Sequence, residues 1–238
     1  MTDVSKAPDR IAGMFDAIAG HYDFLNHLLS AGIDRRWRAR AIRSLRLTGR
    51  EHVLDLCTGT ADLAIAARTA RPPAARVVGL DFAGAMLNVG REKLRRRQLA
   101  DTIALVRGDA SCIPAADRSV DAVTIAFGIR NVESPREALG EIRRVLKPGG
   151  RLAILEFAIP TAPIVQPLYL WYFNRLLPRI GRIVSRHQAA YGYLPASVTA
   201  FSAPGEFAAM LAAAGFDQVA AVTLTFGIVV LYTARRTP

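Results

Sequence analysis

Short apolar runs bounded by turn residues alternate with stretches of helical period along most of this chain, and that rhythm predicts its elements. Val53 to Leu56 reads as a short buried strand, followed by the small-residue turn Thr58, Gly59 and Thr60 and a helical run through Leu63, Ala64, Ile65, Ala66 and Ala67. A second strand, Arg76 to Leu80, ends at Asp81, and a helix follows over Ala85 to Gln98. Strands at Ile103 to Val106, Ser119 to Ala126 and Arg151 to Phe157 continue the series. Between the last two, Ser134 is the N-cap of a helix, with Pro135 in its first turn, Glu137 closing a capping box and Lys147-Pro148-Gly149-Gly150 ending it. Ser202 to Ala214 is a final helix stopped by Gly215, and Asp217 to Phe226 with Gly227 to Arg235 read as a closing β-hairpin. Strands separated by helices predict an open α/β sheet of the Rossmann-like kind.

Two segments stand outside that rhythm. After a frayed Met1 to Pro8, Ile11, Met14, Phe15 and Ile18 fall on one helical face, followed by the polar-studded stretch His21 to Ser30 and the basic helix Asp34-Arg35-Arg36-Trp37-Arg38. This is either a cap that covers the sheet or a lid that excludes water from a reaction. The second segment, Pro160 to Pro195, is aromatic first (Tyr169, Trp171, Tyr172, Phe173) and then basic (Arg175, Arg179, Arg182, Arg186), with no acidic residue between Glu156 and Glu206. It suits a membrane interface or a helical substrate lid, and Pro178 and Gly181 break it. The expected layout is one domain over 1–238: a helical cap at 1–50, a cofactor-binding core at 51–158, an insertion at 159–200 and a closing helix and hairpin at 201–238.

Composition narrows the class. At 238 residues, 51% hydrophobic and 21% charged, the chain is globular and large enough for one sizeable core. Cys57 and Cys112 fit no metal spacing and no secretory signal precedes them, so a reducing, cytoplasmic setting and no bound metal are expected. Cys57, in the turn, reads as a small packing residue rather than a nucleophile. A formal net charge of +11 points to nucleic acid or an anionic membrane face, unless it reflects arginine usage alone. No apolar run is long enough to span a bilayer.

The chemistry gathers at the carboxyl ends of the predicted strands. Asp81 stands where an acidic side chain binds both hydroxyls of a ribose. The preceding turn keeps only Gly59, with Ala61 further along, and leaves little room for a pyrophosphate. Asp55 at the strand end repels phosphate and suits a cation. S-adenosylmethionine, with a sulfonium and no phosphate, therefore fits better than NAD. Asp109 lies past the third strand, either as a turn former or as an acceptor for an adenine amine. Arg130 and Asn131 lie at the end of the fourth strand, where open α/β sheets bind ligands.

Two longer motifs carry a resemblance: Tyr22-Asp23-Phe24-Leu25-Asn26 with Ser30, Gly32, Arg35 and Trp37, and Phe127-Gly128-Ile129-Arg130-Asn131-Val132 running on to Arg144-Val145-Leu146-Lys147-Pro148-Gly149-Gly150. With Leu155-Glu156-Phe157 and Tyr191-Gly192-Tyr193-Leu194, the chain from about Arg10 to Arg235 resembles the quinone C-methyltransferases of menaquinone and ubiquinone synthesis, a class I family dependent on S-adenosylmethionine. The resemblance implies a seven-stranded sheet with helices on both faces and a terminal antiparallel hairpin. It implies cofactor contacts at Thr60, Asp81, Asp109 and Ala110. With Asp55, Gly59 and Ala126, these make up the expected cofactor site. The sequence departs from the family at Cys57-Thr58-Gly59-Thr60-Ala61, where relatives are richer in glycine, at Ala126, where they carry serine, and at His187-Gln188-Ala189-Ala190, where an acidic residue is common.

The implied substrate is a hydroquinone with a polyprenyl tail, most naturally demethylmenaquinol, with the benzoquinol of the ubiquinone pathway as the alternative. Arg130 is expected to stabilise the developing oxyanion. Tyr22 and Asp23 are further catalytic candidates, and Asn26, Asn131 and Tyr193 are expected to line the substrate pocket. Peripheral contact with the inner face of a membrane follows from the tail, and a homodimer is left open. A methyltransferase acting on RNA and a scaffold that binds the cofactor without turnover are the rival readings. The first lacks an aromatic-basic module for stacking bases, and Asp55, Asp81 and Asp109 speak against the second.

Overall fold

A computed structural model describes residues 6–30, 32–172, 175 and 188–237. Helices α1 (Pro8–Leu29) and α2 (Asp34–Ser44) precede the sheet. The core then runs β1 (His52–Leu56), α3 (Asp62–Arg68), β2 (Arg76–Asp81), α4 (Gly84–Arg96), β3 (Ile103–Arg107), β4 (Val120–Ala126), a 3-10 turn (Ile129–Asn131), α5 (Pro135–Val145) and β5 (Leu146–Phe157). After it come α6 (Val165–Trp171), α7 (Gln188–Ala200), α8 (Pro204–Ala213), β6 (Phe216–Leu224) and β7 (Val229–Arg236).

The sheet order is β3-β2-β1-β4-β5-β7-β6, with β1 to β5 parallel and β7 antiparallel to both β5 and β6. Successive strands build outward from β1 in one direction and, from β4 on, in the other. The crevice beyond the carboxyl ends of β1 and β4 is thus the topological switch point, where such sheets bind ligands. One core cluster joins α5, α8 and one face of the sheet through Leu139, Ile142, Phe207 and Tyr232. The other joins α2, α3 and the opposite face through Trp37, Ile42, Leu63 and Leu155. These two buried layers leave the strand ends open at one edge.

Most sequence expectations for single elements match these spans. The predicted capping box is partly formed, with Ser134 Oγ accepting from the Glu137 amide at 3.4 Å. Two elements differ. Strand β5 begins at Leu146, because that residue pairs with Val120 before a register shift carries the chain through Lys147 to Gly150. Helix α7 runs through Pro195 rather than ending there, because Tyr193, Ser197 and Val198 are buried on its inner face. Phe173, Arg179, Arg182 and Arg186 lie outside the described residues, as does the side chain of Asn26. Among the described residues, no helix is long and apolar enough to cross a membrane.

Candidate active site

The turn after β1 carries three left-handed residues in alternation, Cys57 (φ 51°), Gly59 (φ 55°) and Ala61 (φ 70°). This is the backbone of a three-glycine turn, with cysteine and alanine held in conformations that glycine adopts most readily. The register sets what surrounds it: Asp55 pairs with Gly79 on one side and Thr124 on the other. A Cβ at Gly79 would fall 2.7 Å from Thr58 Oγ1, so only glycine leaves room for the turn. Across the crevice, a Cβ at Gly128 would fall 2.2 Å from Cys57 Cβ. Gly128→Ala is therefore expected to destabilise the fold by about 1–3 kcal/mol through overpacking and to weaken cofactor binding. Thermal melts and a cofactor titration check both effects.

Asp55 is fully buried beneath the turn, where its carboxylate accepts from the hydroxyls of Thr58 and Thr124, both at 2.6 Å. Burial pushes its carboxyl up to about 6, against those hydroxyls, which pull it down. The folded chain then holds a proton that the unfolded chain has released, so stability is lost as pH rises from the ordinary carboxyl range through about 6. The cost at neutral pH is on the order of 3 kcal/mol. Asp55→Asn is expected to melt higher than the parent at neutral pH and alongside it in acid, measured by melting temperature across pH.

Asp81 closes the other side of the turn. Its carboxylate accepts from the Gly59 amide at 2.8 Å and the Ala83 amide at 2.9 Å, and burial raises its pKa above the ordinary value. The Gly108 amide donates to the Asp81 carbonyl at 3.0 Å, which sets the turn after β3 beside it. Asp109 accepts from the Ser111 amide at 2.7 Å as a turn former, and Ala110 is buried behind it.

Two small adjoining cavities share Tyr22, Cys57, Gly59, Ala126 and Phe127 as walls. Asp81, Met86 and Asn131 complete the second. Phe127 and Phe157 stack at 4.4 Å, and Trp37 meets both edge-on, forming an aromatic wall. Behind it Arg130 is buried, its Nη1 donating to Glu156 Oε1 at 2.7 Å and to the Phe127 carbonyl, and its Nε to Ser197 Oγ at 3.3 Å. Tyr193 Oη donates to Asn131 Oδ1 at 3.2 Å. Over the cavities, α1 is held by Asp23, which bonds Thr60 Oγ1 and Lys93, and by Asp16, which accepts from the Ala85 amide at 2.7 Å.

The model of the ubiE/COQ5 methyltransferase family matches residues 1–236 of this chain. The chain belongs to this family. It is 48% identical to the ubiquinone/menaquinone biosynthesis C-methyltransferase UbiE of Syntrophotalea carbinolica, over 94% of this chain and 92% of that one. It is 47% identical to the demethylmenaquinone methyltransferase of Thermus thermophilus, over 94% of this chain and 100% of that one. A SAM-dependent methyltransferase from Aquifex aeolicus shares the fold, with a TM-score of 0.54 at 19% identity over 78% of this chain and 81% of that one. As a ubiE/COQ5 methyltransferase the chain is an enzyme, and its family implies S-adenosylmethionine as the methyl donor. The cleft suits that group: two buried carboxylates, Asp55 and Asp81, form a donor set that disfavours phosphate and favours a cation with a ribose.

The structure brings together Tyr22, Gly59, Asp81, Ala126 and Asn131 around the cavities, with Thr60 and Asp23 bonded to each other beside them. Arg130 is placed differently from the sequence expectation: paired to Glu156 and tied to the Phe127 carbonyl, it braces the aromatic wall. Sequence reasoning gave no role to Glu156 or Lys93. Both had a signal, as an acid inside the apolar run of β5 and as a lysine in a chain whose cations are almost all arginine. Burial, with the carboxylates around it, raises the Cys57 thiol well above its ordinary value.

Proposed function

We propose that this ubiE/COQ5 methyltransferase transfers a methyl group to a ring carbon of a polyprenyl hydroquinone, demethylmenaquinol in the first reading and the benzoquinol of the ubiquinone pathway, or both, in the alternative. One observation carries the reading: the stretch from Phe127 to Asn131 sets an aromatic ring and an amide along one wall of the cofactor cleft, with a buried guanidinium behind them. S-adenosylmethionine, when bound, supplies an electrophilic methyl group. Asp81 would hold and orient its ribose, and Asp55 supports the turn from below.

On the substrate side, Phe127 offers a face for the quinol ring. Burial raises the Tyr193 phenol above its ordinary range, so it remains a donor at neutral pH. With Oδ1 taken by Tyr193, the Asn131 amide nitrogen is left to donate to a phenolic oxygen and favour its ionised form. Arg130 is a positioning residue that fixes the Phe127 to Asn131 turn against β5 and α7. Helix α1, latched through Asp23 and Asp16, is the lid that excludes water, and Tyr22 is its contribution to the cavity wall. The polyprenyl tail calls for peripheral contact with the inner face of a membrane, made by the 159–200 segment.

The test offers isotope-labelled S-adenosylmethionine with dithionite-reduced naphthoquinol and benzoquinol precursors, each followed by mass spectrometry. Label on the naphthoquinol alone fixes the first reading, and label on both makes the enzyme dual. Label on neither, with the cofactor bound, sinks the proposal.

A further inference from the structure

Phe226 is 78% exposed and sits at φ 58°, between Thr225 at φ 47° and Gly227 at φ 91°. A bulky aromatic in the left-handed region is strained, and one that buries so little of its ring recovers nothing by packing. Asparagine or glycine would make this turn more easily, so fold stability does not explain the phenylalanine. The turn is also firmly held. Trp37 Nε1 donates to Thr225 Oγ1 at 2.8 Å, and the same indole meets Phe127 and Phe157 of the aromatic wall.

The residues that follow Phe226 pack against apolar neighbours. A Cβ at Gly227 would lie 3.5 Å from Pro160 Cα, and Ile228 packs against the cluster of Tyr169 on α6 and Val198 on α7. With Tyr169 buried there, α6 turns outward Leu168 (66% exposed) and Trp171 (56%), and Ile164 (85%) precedes them by one turn. These three lie at i, i+4 and i+7, one stripe of a helix. Exposed Arg175 follows four residues later in the sequence, in a stretch without an acidic residue between Glu156 and Glu206. Because β5 and β7 pair Phe157 with Val229, the Phe226 turn lies at the carboxyl end of β5, the edge that carries the active site.

We propose that Phe226 and the Ile164, Leu168 and Trp171 stripe form a docking rim that enters the interfacial layer of an anionic bilayer. Its apolar side chains displace headgroup water, and Arg175 lies against the anionic surface. The rim holds the cleft over the lipid from which a polyprenyl substrate comes. This rests on the proposed lipid-tailed substrate, and the test separates the two because docking is measured without quinol or cofactor.

The probe is vesicles of phosphatidylcholine alone or mixed with phosphatidylglycerol. Parent protein should co-sediment with both and more strongly with the mixed vesicles. Trp171 emission should shift to the blue on binding, while buried Trp37 contributes a constant background. Phe226→Asn with Leu168→Ser should lower partitioning by about tenfold or more, with unchanged circular dichroism and cofactor affinity; asparagine suits the left-handed turn. Three results would overturn the proposal: undiminished binding by the double variant, no binding or emission shift in the parent, or a parent dimer in buffer that the variant converts to monomer.

Discussion

Arg130→Ala is expected to lose both turnover and stability. Glu156 is buried, and without its guanidinium partner it becomes an uncompensated buried charge, a loss of about 3–5 kcal/mol. In a chain of this size that lowers the melting temperature by roughly 10 °C. The paired replacement Arg130→Met with Glu156→Leu separates the two effects, because an apolar pair of similar bulk often restores stability. If Arg130 positions the Phe127 to Asn131 turn, the double variant should melt near the parent, bind S-adenosylmethionine near normally and still turn over slowly. Recovery of full turnover would reduce Arg130 to a purely structural role. Calorimetry and single-turnover assays on the same preparations give the answer.

Asp81→Asn should act on the cofactor instead. The aspartate accepts two backbone amides with its carboxylate, and the remaining lone pairs are those assigned to the ribose hydroxyls. Losing charge-assisted bonds to both hydroxyls weakens S-adenosylmethionine by about 3–4 kcal/mol, two to three decades in Kd. The same change turns one of the two amide acceptors into a donor, so the fold should lose only about 1–2 kcal/mol, less than the cofactor does. Titration calorimetry beside a thermal melt distinguishes this from general damage; unchanged affinity would take Asp81 out of the cofactor site.

The alternation of short apolar runs with helical periods was enough to read the sheet, its helices and the closing hairpin, because each element has its own turn chemistry at both ends. The strand ends beside the cavities were legible for the same reason, since Asp81 and Ala126 each sit just where a predicted strand stops. Three things were not legible. Cysteine and alanine do not announce a left-handed backbone, so the turn at Cys57 and Ala61 looked poorer in its fingerprint than its conformation is. The Arg130–Glu156 pair joins neighbouring strand ends, and only the sheet order makes them neighbours. The bond between Asp23 and Thr60 depends on how α1 crosses α4, which no local pattern encodes.

The contact between Cys57 and Gly128 also limits the routes by which this chain can diverge. With the two Cβ positions 2.2 Å apart, only one of the two sites can carry a side chain. Cys57 already holds a backbone that glycine prefers, so its loss to glycine is an open first step, after which position 128 is free to grow. The opposite order passes through a clashing intermediate that selection removes. The two positions are therefore expected to change as a linked pair, with a side chain at 128 tolerated best where position 57 is glycine.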